Sequence, residues 1–160
     1  MQATSLLQLR AENERDLDFS FDVFASTRVE ELQHLPLSAD RKQAFLQQQF
    51  EAQYRYYREH FADAQFSIVE CDGIPVGRLY VHSTGEELSI MDIALLPQYR
   101  SAGIGTTLIQ NIVDLADRER KPVRLHVERF NPAIRLYTRF GFRLVEDTGI
   151  YLLMERIPSE

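Results

Sequence analysis

Ile90-Met91-Asp92-Ile93-Ala94-Leu95-Leu96-Pro97-Gln98-Tyr99-Arg100-Ser101-Ala102-Gly103-Ile104-Gly105-Thr106-Thr107-Leu108-Ile109 is the stretch that decides the fold. Its apolar start reads as a buried strand, which Pro97 ends because proline offers no N–H to a sheet. A short polar turn follows. A helix is predicted from near Gly103, since Ile104, Leu108, Ile109, Ile112, Val113, Leu115 and Ala116 recur at helical spacing. Neither Gly103 nor Gly105 carries a Cβ, so another group can come close to the backbone there. The first N–H groups of a helix lack internal partners and sit at its positive end, which favours an anion. Strand, glycine turn and helix together suit a phosphate.

The spacing narrows the kind of phosphate ligand. A Walker loop needs Gly-x-x-x-x-Gly-Lys-Ser/Thr, and no lysine follows Gly105. A dinucleotide fingerprint needs a third glycine, which Gly103-Ile104-Gly105-Thr106-Thr107-Leu108 lacks. What is present is Arg100-x-x-Gly103-x-Gly105, an arginine beside the anion site. On this loop alone, a glycine-softened helix start with no ligand is the other reading.

Outside this stretch, the composition is that of one compact domain over residues 1–160, at 44% hydrophobic and 26% charged. The formal net charge of −6 argues against a nucleic-acid partner, because phosphate backbones reward the opposite sign. It suits a cationic or amine substrate. No apolar run has the length of a membrane span, and the N-terminus shows no signal-peptide core, so no membrane partner is expected. A single cysteine, Cys71, cannot form an internal disulfide, which fits a reducing cytoplasm. No spacing of His, Cys, Asp or Glu suggests a metal.

Taken in order, Ser5 to Arg10 reads as a first strand and about Asn13 to Leu35 as a helix with Leu17, Phe21, Phe24, Val29 and Leu32 on its apolar positions. Phe21 and Phe24 share a face, either as core or as the lining of a substrate pocket. Ser38 is the expected N-cap of a long helix to about Phe61, whose aromatic stripe (Phe45, Phe50, Tyr54, Tyr57, Phe61) reads as core. The period then changes to two: Phe66 to Cys71 is a strand, Asp72-Gly73 a hairpin turn, and Ile74 to His82 a strand broken by Gly77. Leu88 to Leu96 is the third strand of this meander. After the glycine-loop helix, Val123 to Glu128 returns as a strand, normally parallel to it through a right-handed crossover. Asn131-Pro132 starts a short helix closed by Gly141. A hairpin around Asp147-Thr148-Gly149 ends the chain. The fold expected is α+β, a mixed and mostly antiparallel sheet with helices on both faces.

This element order, the Arg100-x-x-Gly103-x-Gly105 loop and a second motif, Asn131-Pro132-Ala133-Ile134-Arg135-Leu136-Tyr137-Thr138-Arg139-Phe140-Gly141-Phe142, resemble the GNAT superfamily of acyl-CoA-dependent N-acyltransferases. The second motif is similar to the family's Asn-x-x-Ala-x-x-x-Tyr-x-x-x-Gly-Phe pattern, with its alanine, Ala133, one place early. The resemblance implies acetyl-CoA as acyl donor and an amine acceptor. It places diphosphate on the N–H groups of Arg100, Ser101, Ala102, Gly103, Ile104, Gly105 and Thr106, and the acyl carbonyl and pantetheine arm on backbone groups of Ile93, Ala94 and Leu95. In the family a bulge splays this strand from its parallel neighbour and frees an N–H for the carbonyl. The N-terminal helices shape the acceptor pocket in this family, so the acceptor itself is the least legible part.

Acyl transfer from a thioester to an amine needs a neutral amine and a protonated leaving thiolate. Deprotonating a lysine-like amine costs about 4–5 kcal/mol at neutral pH, which a base, a water relay or an apolar pocket reduces. By resemblance Tyr137 is the general acid; its other reading is a ring in the core. Asn131 serves as a pantetheine contact or as an N-cap. Candidate bases are His126, an imidazole of the kind suited to general-base work, Glu128 on the same strand face, and Asp92 beside the acyl site. Glu86 and Glu87 lie at the start of that strand. Ser89 stands where some relatives place a glutamate, which leaves a water relay in play. Cys71 lies far from both motifs, so direct transfer is expected. The competing class is a catalytically silent coenzyme A-binding sensor or interaction module, and a homodimer through a sheet edge or the final hairpin fits either.

Overall fold

Leu7 and Leu9 sit in a strand, β1 (Leu7–Ala11). The computed structural model describes residues 6–159, so Ser5, from which the sequence starts this strand, lies outside the described residues. β1 runs antiparallel to β2 (Gln65–Cys71), with Leu7 opposite Cys71 and Ala11 opposite Ser67. Between them come a 3-10 turn at Glu14–Asp16 and three helices, α1 (Leu17–Ser26), α2 (Val29–Gln33) and α3 (Ala39–His60).

The single helix expected from Asn13 to Leu35 is corrected by this arrangement. Ser26 Oγ and Thr27 Oγ1 each donate to a carbonyl three residues back, Val23 and Phe24, at 2.7 Å. Thr27 and Arg28 N–H groups donate to Phe24 and Ala25 carbonyls in the same i−3 pattern, so the helix tightens and stops. The apolar pattern still does its work across the break: Leu32 of α2 packs with Phe24, Leu46 and Phe50 in one buried cluster. α3 starts as expected, with Ser38 Oγ accepting from Arg41 N–H at 3.3 Å. Its aromatic stripe is core only in part, since Phe50 is buried while Phe45 is exposed.

At the hairpin, Asp72 (φ 53°) and Gly73 (φ 81°) both have positive φ, as a type I′ turn requires. β3 (Ile74–Ser83) then runs through Gly77 without a break. The glycine answers a different need, because a Cβ at 77 would overlap the Ala94 carbonyl oxygen and meet Leu95 Cδ2 at 2.8 Å. Two backbones come together there.

β4 (Leu88–Leu95) leads through a 3-10 turn at Pro97–Tyr99 into α4 (Ile104–Glu119). Then follow β5 (Val123–Glu128), α5 (Ile134–Arg139), β6 (Arg143–Asp147) and β7 (Tyr151–Arg156). The strands are hydrogen-bonded in the order β1-β2-β3-β4-β5-β7-β6. β4 and β5 are parallel, whereas the pairs β1–β2, β5–β7 and β6–β7 are antiparallel. The mixed α+β sheet read from the sequence is the observed one.

The chain divides into two compact units: the chain up to Leu79 with Ala94–Tyr99, and Tyr80–Ile93 with the chain from Arg100 onward. In the first, the α1–α3 cluster and the fully buried Ile68, Val69 and Val76 form the core. In the second, α4 buries Leu108, Ile109, Ile112, Val113 and Ala116, with Leu115 off the stripe, and β5 buries Val123, Leu125 and Val127.

Arg10 ties the start of the first unit together. Its Nη1 and Nη2 donate to the two carboxylate oxygens of Asp16, each at 2.8 Å, and its Nε donates to Glu70 at 2.7 Å. The Arg10 hydrogen bonds hold the Asp16 carboxyl below its ordinary range. A depressed folded-state pKa means the stabilisation is present above about pH 4 and is lost as pH falls from there through the lower folded-state value. Asp16→Asn is therefore expected to lose about 1 kcal/mol at neutral pH, after discounting Arg10's partial exposure. Denaturant titrations at several pH values should show this gap to wild type closing as the solution is acidified.

Candidate active site

The glycine loop follows from local backbone needs. Ser101 (φ 61°) and Gly103 (φ 87°) both sit in the left-handed region. Gly103 is the residue before the first turn of α4, and no side chain caps that turn. The Gly103 carbonyl accepts from Thr107 N–H and Thr107 Oγ1, both at 3.1 Å. The opening amides of α4 thus depend on an acceptor from outside the helix, next to a stretch, Arg100–Gly103, that is exposed. Successive N–H groups around left-handed turns form a concave anion site.

The two glycines have separate reasons. Gly103 needs glycine for its φ, and a Cβ there meets nothing within 4 Å. Gly105 has no such φ, and its Cβ would meet only Leu136 Cδ2, at an ordinary 3.9 Å. The protein leaves space over Gly105 that a side chain could fill, which is what a diphosphate seated on these amides requires.

Leu136 places α5 beside the first turn of α4. Its neighbour Tyr137 is buried, 6% exposed, with its ring 5.7 Å from that of Phe142. Burial, then the negative charge of Asp92, pushes the Tyr137 phenol up to about 12. The parallel register pairs Leu88 with Val123, Ser89 with Arg124 and Ile90 with Leu125. Among the described residues it extends no further, although β4 runs on to Leu95 and β5 to Glu128. Meanwhile β7 pairs with β5 from Val123 to Glu128. An opening between parallel strands is the feature the family resemblance anticipates.

Strand alternation sorts the candidate residues. Leu88 and Ile90 are buried opposite Val123 and Leu125, and Asp92 continues that face of β4. His126, exposed, and Glu128 share the other face of β5, in register with Leu153 and Tyr151. The structure therefore brings Tyr137 together with Asp92 and leaves His126 with Glu128 on the opposite side. Ile93, Ala94 and Leu95 form the end of β4, half-buried. Asn131 is exposed, and its Oδ1 accepts from Ala133 N–H at 2.8 Å, a local turn just ahead of α5, whose cap residue is Ala133 with no side-chain cap.

A carboxylate that the sequence places at the strand start reaches Ser89. Glu87 Oε2 accepts from Ser89 Oγ at 3.4 Å and faces Arg124 Nε at 3.9 Å, while Arg124 Nε donates to Glu155 at 2.7 Å. Period two along β4 was the available signal, since Glu87 and Ser89 are two apart. Among the described residues, no group of three or more His, Cys, Asp or Glu side chains is placed to hold a metal ion. No helix among them is long and apolar enough to cross a membrane.

The model of the acetyltransferase (GNAT) family matches residues 28–142, and the chain belongs to that family. It is similar to the N-alpha-acetyltransferase 50 of Danio rerio, 32% identical over 74 residues, which cover 44% of this chain and 44% of the relative. It is also similar to the mycothiol acetyltransferase of Thermobifida fusca, 33% identical over 91 residues, covering 56% of this chain and 24% of the relative. The chain spans about half the length, or less, of the curated relatives it matches. Its fold is shared with the PaiA N-acetyltransferase of Thermoplasma acidophilum in complex with coenzyme A, with a TM-score of 0.72 and 17% identity, over 95% of this chain and 99% of that one.

Two measurements follow. Gly103→Ala should cost about 1–2 kcal/mol from its left-handed backbone, whereas Gly105→Ala should lie between neutral and about 1 kcal/mol stabilising; denaturant midpoints compare them. The raised Tyr137 phenol favours the neutral form in the folded state, so its contribution is present below pH 10 and is lost as pH rises toward 12. Wild type should therefore lose stability more steeply than Tyr137→Phe across that window.

Proposed function

We propose that this chain is an acetyl-CoA-dependent N-acetyltransferase that transfers acetyl directly to a primary amine of a small molecule or protein, within a single domain over residues 1–160. The observation that supports it best is the uncapped start of α4, open over Gly105 and adjacent through Leu136 to the buried Tyr137. Arg100, Ser101, Ala102, Gly103, Ile104, Gly105 and Thr106 would hold the donor's diphosphate, with backbone groups of Ile93, Ala94 and Leu95 along its pantetheine arm and Asn131 beside them. When bound, the donor supplies an activated acyl thioester.

The chain's own residues divide the proton work between the two faces of the opening. Tyr137 stays protonated throughout the physiological range and presents its O–H to the departing sulfur. A phenol near 12 giving its proton wholly to a thiolate near 8.5 runs uphill by about 5 kcal/mol, so Tyr137 acts mainly as a hydrogen-bond donor until the thiolate is protonated from solvent. Asp92 sustains that state by its charge. On the other face, His126 or Glu128, directly or through a water, takes the proton from the incoming ammonium. The reading places the chain in the cytoplasm with no nucleic-acid or membrane partner, and the edge strand β6 as its route to a homodimer.

Calorimetry with acetyl-CoA followed by a thiol-release assay over an amine panel tests the proposal. Gly105→Glu should abolish donor binding while the fold persists, and Tyr137→Phe should lower kcat about a hundredfold with donor affinity unchanged. An absence of binding by wild type overturns the reading. Binding without release on any amine transfers the protein to the sensor class, and a trapped acyl-enzyme overturns direct transfer.

A further inference from the structure

The end of α5 is built around Tyr137. The Tyr137 carbonyl accepts from the Phe140 N–H at 3.0 Å and from the Phe142 N–H at 3.1 Å, while the Thr138 carbonyl accepts from the Gly141 N–H at 3.0 Å. Gly141 has a left-handed φ of 93°. This is a glycine-ended helix turn in which the residues at its two ends meet, and here the rings of Tyr137 and Phe142 lie 5.7 Å apart. The turn makes no use of the Phe140 carbonyl, and Arg156 Nε donates to it at 2.8 Å. A Cβ at Gly141 would lie 3.8 Å from Arg156 Nε and 3.9 Å from its Cγ, so the arginine stem runs against the turn itself.

The other end of Arg156 is anchored as firmly. The residue is buried, and its Nη1 and Nη2 donate to the two Asp117 oxygens at 2.8 and 3.1 Å, with a further bond from Nη2 to Ser159 Oγ at 3.2 Å. Asp117 lies in the last turn of α4, where the helix dipole disfavours an acid. A two-pronged bond of this kind fixes direction as well as distance. Its value is geometric more than energetic, because desolvating two buried charges offsets most of their attraction and apolar groups can replace such a pair at little cost. α4 opens with the glycine turn and α5 carries Tyr137. Arg156 therefore spans the two helices that the proposed reaction uses.

We propose that Arg156 is a positioning residue for acyl transfer: by tying the end of α5 to α4 it holds Tyr137 at a fixed distance from the start of α4. This role rests on the acyltransferase reading, since Arg156 acts only through Tyr137. A helix of six residues has no stability of its own to keep its place. Without the tie, Tyr137 stays packed on Phe142 but shifts with its helix. A displacement of about 1 Å in a positioned group is enough to lower a rate by tenfold or more.

Thiol release from acetyl-CoA, with the best amine of the panel, tests this in a cycle with Tyr137→Phe. Arg156→Met/Asp117→Asn removes the tie and leaves no buried charge unpaired, so circular dichroism should show it folded and calorimetry should show acetyl-CoA affinity unchanged. Its kcat should fall about tenfold, whereas the same two changes added to Tyr137→Phe should lower kcat no further. Asp117→Asn alone keeps an oxygen for the Ser159 N–H; it should show the same dependence on Tyr137, with a smaller loss, even if the double variant does not fold. Asp16→Asn, which loosens the Arg10 clasp in the first unit, should leave kcat at the wild-type value. The proposal is overturned if the Arg156 and Asp117 changes leave kcat unaltered, if they lower it by the same factor with and without the Tyr137 hydroxyl, or if acetyl-CoA affinity falls as far as kcat does. Wild type without turnover overturns the proposed function as well, whereas turnover by wild type with any of those three results overturns this inference alone.

Discussion

The hydrogen-bonding debt at the first turn of α4 organises this protein. Every helix begins with amides that need acceptors, and most meet them with a side chain at the cap. Here the cap position is Gly103, which has none to offer, and the left-handed backbone at that residue makes glycine the natural occupant. Pro97 stops β4 before the loop, and the space over Gly105 keeps the amides approachable. A structural weakness at the helix start leaves these amides open to the diphosphate proposed there, which a stronger cap would have closed off.

The second unit holds the rest of the site against that helix with charge. Arg156 on β7 is buried and donates to both Asp117 oxygens on α4, at 2.8 and 3.1 Å, and through Nε to the Phe140 carbonyl at the end of α5, at 2.8 Å. One side chain thus joins β7, α4 and α5. The Asp117 carboxyl is lowered by those Arg156 hydrogen bonds and by the Ser159 N–H, so the clasp is charged at neutral pH. α5 is only six residues long and would not hold itself in water. Its orientation, and with it the burial of Tyr137, comes from this clasp and from the packing of Phe142.

Particular elements show where local sequence speaks clearly. Asp72-Gly73 carries its own backbone instruction, and the turn forms as read. Ser38 caps α3, and the six-residue run from Val123 to Glu128 forms the strand with the expected bounds. The break after Ser26 was harder to read, because hydroxyl groups bonding back to carbonyls leave the hydrophobic period intact while ending the helix. Gly77 was misread for a related reason: a glycine in a strand looks like a weakness until the neighbouring carbonyl of Ala94 is seen to need the space.

By itself the sequence determined the strand order of the sheet, the family, and the glycine turn that opens α4, because turn chemistry, capping and periodicity are written within a few neighbouring residues. Only the tertiary structure decided which chemistry-bearing side chains share a space. It set Tyr137 near Asp92, turned His126 and Glu128 to the other face of β5, and brought Glu87 to Ser89. Those outcomes depend on strand register and on which helix packs where, and register is a property of pairs of segments far apart in the chain.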